Sequence, residues 1–154
     1  MQGGRYSAKP ACIAAALRKA SRRITQFYDA ALAPAGLTVT QYSLLTELAR
    51  RGKRVPTVTE LAGAMVMDRS GLGHTLVPLE RDGLIRLAVH SKDARARNVV
   101  LTVEGKERQR QATIFWARAQ KRFSDIFGAR QAAQLHTALL AIAHDERLSR
   151  PESS

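Results

Sequence analysis

The stretch that most limits what this chain can fold into is residues 68–102, DRSGLGHTLVPLERDGLIRLAVHSKDARARNVVLT. Asp68 can cap a helix, because its carboxylate accepts a backbone N–H that the first helical turn leaves unpaired. Gly83 can stop that helix, since glycine takes the left-handed conformation at a helix C-terminus without strain. Leu84–Val89 and Asn98–Leu101 then read as two short apolar strands around a polar tip that carries Lys92, Arg95 and Arg97. A helix followed directly by a basic hairpin suits a polyanionic duplex, the helix in one groove and the tip in the next.

Two further helices lead into this segment. Thr38-Val-Thr-Gln41 and Thr57-Val-Thr-Glu60 both have capping-box spacing, in which the Thr hydroxyl and the Gln or Glu side chain satisfy each other's backbone N–H. The first should start a helix at Val39 with Tyr42, Leu45, Leu48 and Ala49 buried, ending in the basic cluster Arg50, Arg51, Lys53 and Arg54 around Gly52. The second opens a short helix with Leu61, Ala62 and Met65 inward, and Asp68 follows closely enough to make a helix-turn-helix. At about 100° per residue, Leu72, Leu76 and Leu79 share one side of the Asp68 helix with Thr75 beside them. Ser70, His74, Val77 and Arg81 fall on the opposite side. In a helix-turn-helix that outward face enters the major groove, N-terminal end first. Ser70 can bond a base edge or phosphate, His74 a guanine N7 or phosphate, and Val77 a thymine methyl. Gly71 and Gly73 each give up about 1 kcal/mol of helix propensity, which suits close approach of backbone to DNA. Pro78 inside the pattern is expected to kink the helix or end its first segment.

The flanks are helical. Pro10 can sit in a first turn, and Ile13, Leu17, Ala20, Ile24, Phe27 and Ala31 then recur at four- and three-residue spacings until Pro34 and Gly36. Thr102 caps a long helix bearing Ala112, Trp116, Ala119, Phe123 and Ile126. After Gly128 another carries Ala132, Leu135, Leu139 and Ile142. These three helices share a seam-like stripe. The expected organisation is a flexible arm at 1–9, a helical dimerisation region at 10–37 and 103–148, and a winged helix-turn-helix at 38–102. The fold class is mostly α with a small β-hairpin.

Lys and Arg number 25 against 13 Asp and Glu, a formal charge of +12, which favours a polyanion because each cation at a phosphate releases condensed counterions. A single cysteine, Cys12, excludes an intrachain disulfide, and His74, His90, His136 and His144 lack metal-ligand spacing. No cofactor or metal is expected. No apolar run approaches the ~20 residues of a membrane span. Met1–Pro10 lacks the apolar core of a signal peptide, so a soluble cytoplasmic protein is the expectation. An enzyme would need converging acid, base or nucleophile groups, and none converge. A basic RNA-binding protein is the alternative outside gene regulation, but aromatics make up 5% of the chain and lie mostly on the apolar stripes, not on a stacking surface.

Asp93 and Arg95, followed by Leu101-Thr102 after five intervening residues, fit DxRxxxxxLT after LERDGLI (79–85). Together with LTVTQYSLL (37–45), VTELA (58–62) and DRS (68–70), this resembles the MarR family of bacterial transcriptional regulators over roughly residues 11–148. The resemblance implies a homodimer on a pseudo-palindromic operator in double-stranded DNA. In it Arg95 reaches into the minor groove and Asp93 holds the wing through an ionic contact. A narrow minor groove concentrates negative potential and attracts a guanidinium. The DNA-binding set is then Ser70, Gly71, His74, Val77, Arg81, Lys92, Asp93, Arg95 and Arg97. Many relatives carry Arg or a polar residue at the place of His74 and Thr at those of Gly71 and Gly73, so fewer side chains reach the bases here.

The resemblance leaves two signals open. A small-molecule effector, typically an aromatic or phenolic acid, would occupy a cleft between the dimerisation helices and the DNA-reading head. It would be lined by Arg22, Phe27, Tyr28, Tyr42 and Trp116, with Arg22 pairing the acid. In the hydroperoxide-sensing branch a reactive cysteine near the start of the first helix is partnered by two tyrosines. Ungapped alignment puts that cysteine at Ala14, two residues from Cys12, with Tyr28 matching one tyrosine and Val39 standing in place of the other. Two residues on a helix rotate a side chain by about 200°, so the sensor geometry is not reproduced.

Overall fold

The computed structural model describes residues 12–149; the arm at 1–9 and Pro10 lie outside the described residues. Its elements in chain order are α1 (Ile13–Leu32), a 3-10 turn at Ala33–Ala35, α2 (Val39–Arg51), α3 (Val58–Ala64) and α4 (Arg69–Arg81). There follow β1 (Ile85–Val89), β2 (Arg97–Leu101), α5 (Val103–Phe127), α6 (Ala129–Ala143) and a 3-10 turn at Glu146–Ser149. The capping motifs form as the local chemistry dictates. Thr38 and Thr57 each close a full capping box, Asp68 accepts from the Gly71 N–H at 2.5 Å, and Thr102 accepts from Gly105 at 3.0 Å.

The core sits where α2, α3, α4 and the hairpin meet the base of α5. Leu44, Leu45, Leu61, Leu72, Leu79, Ile85 and Val99 are all but sealed from solvent. Each such side chain contributes about 1.5–3 kcal/mol relative to exposure. Leu44 lies outside the face expected for α2, while Ala49, expected inside, is only half-buried. α2 packs against both α4 and α5 and so buries a wider arc than one stripe.

The strands pair antiparallel from Ile85 opposite Leu101 to Val89 opposite Arg97. The segment before α3 covers the outer edge of β2: Val99 N–H donates to the Pro56 carbonyl at 2.9 Å, and Thr57 bridges Asn98. That edge is thereby closed to further strand addition. α4 runs through Pro78 to Arg81 without ending there. The proline withdraws only the N–H that would bond the His74 carbonyl.

The turn between α3 and α4 is strained at one residue. Met67 N–H reaches back to the Ala62 carbonyl and Val66 N–H to that of Gly63, the two bonds of a Schellman motif. Its left-handed position, which glycine normally takes, holds Val66 at φ 51°. An L-residue there costs roughly 1–2 kcal/mol, so Val66→Gly should raise stability by about 0.5–1 kcal/mol after glycine's extra chain entropy is counted. Denaturant titration checks the sign; a loss of stability would show that the Val66 side chain, 63% exposed, makes compensating contacts.

α1 packs along α5, and α5 against α6. The stripes expected to be buried in these helices are only partly so. On α6 only Ala132 is buried, while Leu135, Leu139, Leu140 and Ile142 are 36–45% exposed. Ile13 and Ile126 are more exposed still, at 66% and 71%. The apolar periodicity is present, but a single chain does not cover it.

Candidate nucleic-acid interface

α4 presents the two faces that its periodicity requires. Leu72, Leu76 and Leu79 are buried in the head, and Ser70, His74, Val77 and Arg81 are exposed on the other side, Val77 by 66%. The two glycines part company. A Cβ at Gly71 would stand 3.0 Å from the Asp68 Oδ1 that caps the helix, so this glycine lets the cap close; a Cβ at Gly73 would meet nothing within 4 Å. Close approach to DNA is therefore not needed to explain Gly71. Arg81 at the far end pairs with Asp82 at 3.0 Å, both exposed, a bridge worth about 0–1 kcal/mol that a phosphate can displace.

The wing tip is built from its own side chains. Asp93 does not act through an ion pair: among the described residues no cationic group lies within salt-bridge distance of it. Its Oδ1 instead accepts the Arg95 backbone N–H at 2.9 Å, while its carbonyl accepts from Ala96 N–H at 3.1 Å. A short carboxylate that bonds the backbone two residues on forms an Asx turn, which folds the tip without needing a cation. Arg97 opens β2, and its guanidinium donates to the carbonyls of Ala94 (2.9 Å) and Ala96 (3.2 Å). His90, absent from the expected set, accepts the Lys92 N–H on Nδ1 at 3.2 Å, and its backbone N–H donates to the Ala96 carbonyl at 3.1 Å. Asp93, Arg97 and His90 thus shape the tip. The Arg95 guanidinium is exposed and makes no hydrogen bond among the described residues.

The tertiary fold adds partners that sequence reading missed. A slot of about 180 Å³ between the start of α3 and the wing brings Thr57, Thr59 and Arg69 beside Asp93, Arg95 and Arg97. Arg69 occupies the first turn of α4, where a cation opposes the helix dipole. The slot's lining brings Arg69, Arg95 and Arg97 together with Thr57 and Thr59, side chains of the kind that meet phosphate oxygens, beside the Asp93 carboxylate.

The expected ligand residues do not converge on one cleft. Tyr42 and Trp116 stack at 6.1 Å and line a cavity of about 500 Å³ between α2 and α5, with Thr46, Gln109 and Thr113. The cation there, Arg50, is already bidentate to Glu47 (2.8 and 3.0 Å), whose carboxyl is held below the usual range chiefly by that bond. Phe27 lines a separate cavity of about 310 Å³ between α1 and α5. Tyr28 is buried, its hydroxyl donating to Gln120 Oε1 at 2.5 Å, and burial raises its pKa. Arg22 is exposed on α1 and lines neither cavity. Cys12 is exposed at the N-cap of α1 and makes no capping bond. It lies about 24 Å along the helix from Tyr28, so the two do not meet within α1. Among the described residues the one strongly exposed aromatic is Phe127 at the end of α5, so the basic tip has no stacking platform for RNA.

A three-helix head, an outward second helix of the helix-turn-helix and a two-stranded basic wing define a winged helix-turn-helix protein. Residues 35–96 match the model of the MarR family. The structure resembles the Mycobacterium tuberculosis transcriptional regulator MosR solved with DNA, at 28% identity and TM-score 0.80, over 92% of this chain and all of that one. A second MosR structure is 31% identical at TM-score 0.68, over 84% of this chain and 96% of that one. The transcriptional repressor CouR bound to a DNA duplex is 26% identical at TM-score 0.76, over 86% and 93%. No curated protein sequence matches the chain. The chain belongs to the MarR family of transcriptional regulators.

Proposed function

We propose that this chain is a homodimeric repressor that holds a pseudo-palindromic operator and releases it when an aromatic or phenolic acid binds its helical region. Residues 38–102 form the reading head; 10–37 and 103–148 form the dimerisation region. The carrying observation is that the exposed face of α4 and the free Arg95 guanidinium are presented by one head, with the Arg69 slot between the wing and α3. Ser70, His74 and Val77 enter the major groove, Arg95 takes the neighbouring minor groove, and Arg69, Lys92 and Arg97 meet phosphates. The exposed leucines of α6 find their cover on a second copy, which sets two heads about one helical turn apart on DNA. An effector that binds a different head spacing more tightly lowers operator affinity by that difference.

Arg95→Ala should weaken operator binding about tenfold to hundredfold, the cost of one groove-inserted arginine, without changing the dimer's mass. Fluorescence anisotropy across a salt series measures it. Wild type should lose affinity steeply with salt, consistent with ~6–10 phosphate contacts. A flat salt profile would sink DNA binding altogether, and an unchanged Arg95→Ala affinity would show that the wing is idle.

A further inference from the structure

Gly73 is the one glycine of α4 that the fold leaves unexplained. Its φ lies outside the left-handed region, and a Cβ there would meet nothing within 4 Å, so neither backbone conformation nor packing calls for glycine. Gly71, by contrast, is needed by the chain itself to close the Asp68 cap. Helical geometry places Gly73 within about 40° of Arg69 and Val77 and about 20° of Glu80 around the α4 axis. Both ends of that flank face the wing. Arg69 shares the slot with Asp93, Arg95 and Arg97, and Glu80 accepts the Leu87 N–H of β1 at 3.3 Å. Gly73 therefore lies on the wing-facing flank of α4, one turn in from Arg69.

Two physical constraints meet at that flank. Adjacent grooves of a duplex are separated by a sugar–phosphate strand. A head that puts α4 in one groove and Arg95 in the next must therefore carry that strand between α4 and the wing. The readers on α4 are also short, Ser70 and Val77 ending at the γ position, so the helix must sit deep to touch base edges. A helix with its side chains is about 10–12 Å across and the major groove about 12 Å wide, which leaves little room for a side chain on a flank that meets the groove wall. We infer that Gly73 is the seat of the sugar–phosphate strand between the two grooves. Bare α4 backbone lets the strand pass against the helix, and this sets the depth at which Ser70, His74 and Val77 read. Charge orders the flank the same way: Arg69 draws the strand toward the N-terminal end of α4, and the Glu80 carboxylate keeps it from the other end. The seat rests on the operator reading proposed above and adds to it a position that works by having no side chain.

The full-length protein first selects its preferred duplex from a pool with a randomised centre, and anisotropy then measures each variant on that duplex. Gly73→Ala should raise the melting temperature by about 2–4 °C through helix propensity, yet weaken binding about tenfold. Stability and affinity thus move in opposite directions, which no loss of folding produces. Gly73→Thr should weaken binding at least as far, even though its hydroxyl can bond a phosphate. Strand contacts position the head and carry no sequence, so selection repeated with Gly73→Ala should return the same preferred duplex. Unchanged or tighter binding by either variant shows room for a side chain and overturns the seat while leaving the operator reading intact. A new base preference confined to one position places Gly73 against a base edge and overturns it as well. A wild-type protein that selects no sequence sinks the operator reading, and the seat with it.

Discussion

Gly105→Ala is expected to lower the melting temperature by about 10 °C, equivalent to about 3 kcal/mol for a chain of this size. Gly105 is buried in the first turn of α5, where that helix crosses the end of the α4–β1 connection. Thr102 fixes the crossing: its backbone N–H donates to the Leu84 carbonyl at 3.2 Å and its hydroxyl to the Gly83 carbonyl at 2.6 Å. A Cβ on Gly105 would overlap the Leu84 carbonyl oxygen and press on the Leu101 side chain. The first obstacle is backbone held by hydrogen bonds, so it cannot rotate away as a side chain does. Gly63→Ala is the matched control, because a Cβ there meets nothing within 4 Å. It should stabilise α3 by about 0.5–1 kcal/mol through helix propensity alone. Thermal and urea unfolding of the two variants should therefore move in opposite directions. A Gly105→Ala protein as stable as wild type would mean that α5 and the hairpin do not meet this closely.

Leu139→Asp should convert the protein to a species of the single-chain mass, 16.9 kDa, and reduce operator affinity by a hundredfold or more, on the order of 3 kcal/mol. Leu139 sits at the middle of the α6 face that one chain leaves uncovered, between Leu135 and Ile142. A carboxylate placed there must be desolvated against the partner's apolar surface, and the one Lys or Arg of α6, Arg130, lies in the first turn of the helix, more than two turns away. A monomer also holds only one half-site and forfeits the gain from two linked heads. Light scattering coupled to size-exclusion chromatography checks the mass, and anisotropy checks the affinity. A dimer that survives the substitution would place the interface elsewhere than on α6.

Features that depend on a few consecutive residues were legible in advance. The two capping boxes, the Asp68 and Thr102 caps and the split of α4 into a leucine face and a Ser70–His74–Val77–Arg81 face all rest on local bonds or on helical geometry. The hairpin boundaries came within a residue or two for the same reason. Features that depend on which distant segment arrives were not legible. Leu44 is buried because α2 is gripped on two sides. Gly105 is small because the Leu84 carbonyl lies beside it. Arg69 joins the wing arginines only once the start of α3 closes over β2. The candidate ligand residues were least legible: Phe27 and Tyr42 line separate cavities against α5, and Arg22 lines neither. Tyr28 meets its partner Gln120 at a separation of 92 residues, a distance over which no periodicity speaks.

Asp93 shows the same boundary within a single loop. Its position in the motif was legible, but whether its carboxylate meets a cation or a backbone N–H was decided by how the tip folds. The residue order by itself determined the elements, their caps and the outward face of α4, because those follow from bonds between near neighbours and from 3.6-residue periodicity. The tertiary structure alone decided which cations are spent and which are free. Arg50, Arg97, Arg108 and Arg110 are engaged, whereas Arg95 at the wing is not, because pairing depends on the groups that packing brings within hydrogen-bond reach.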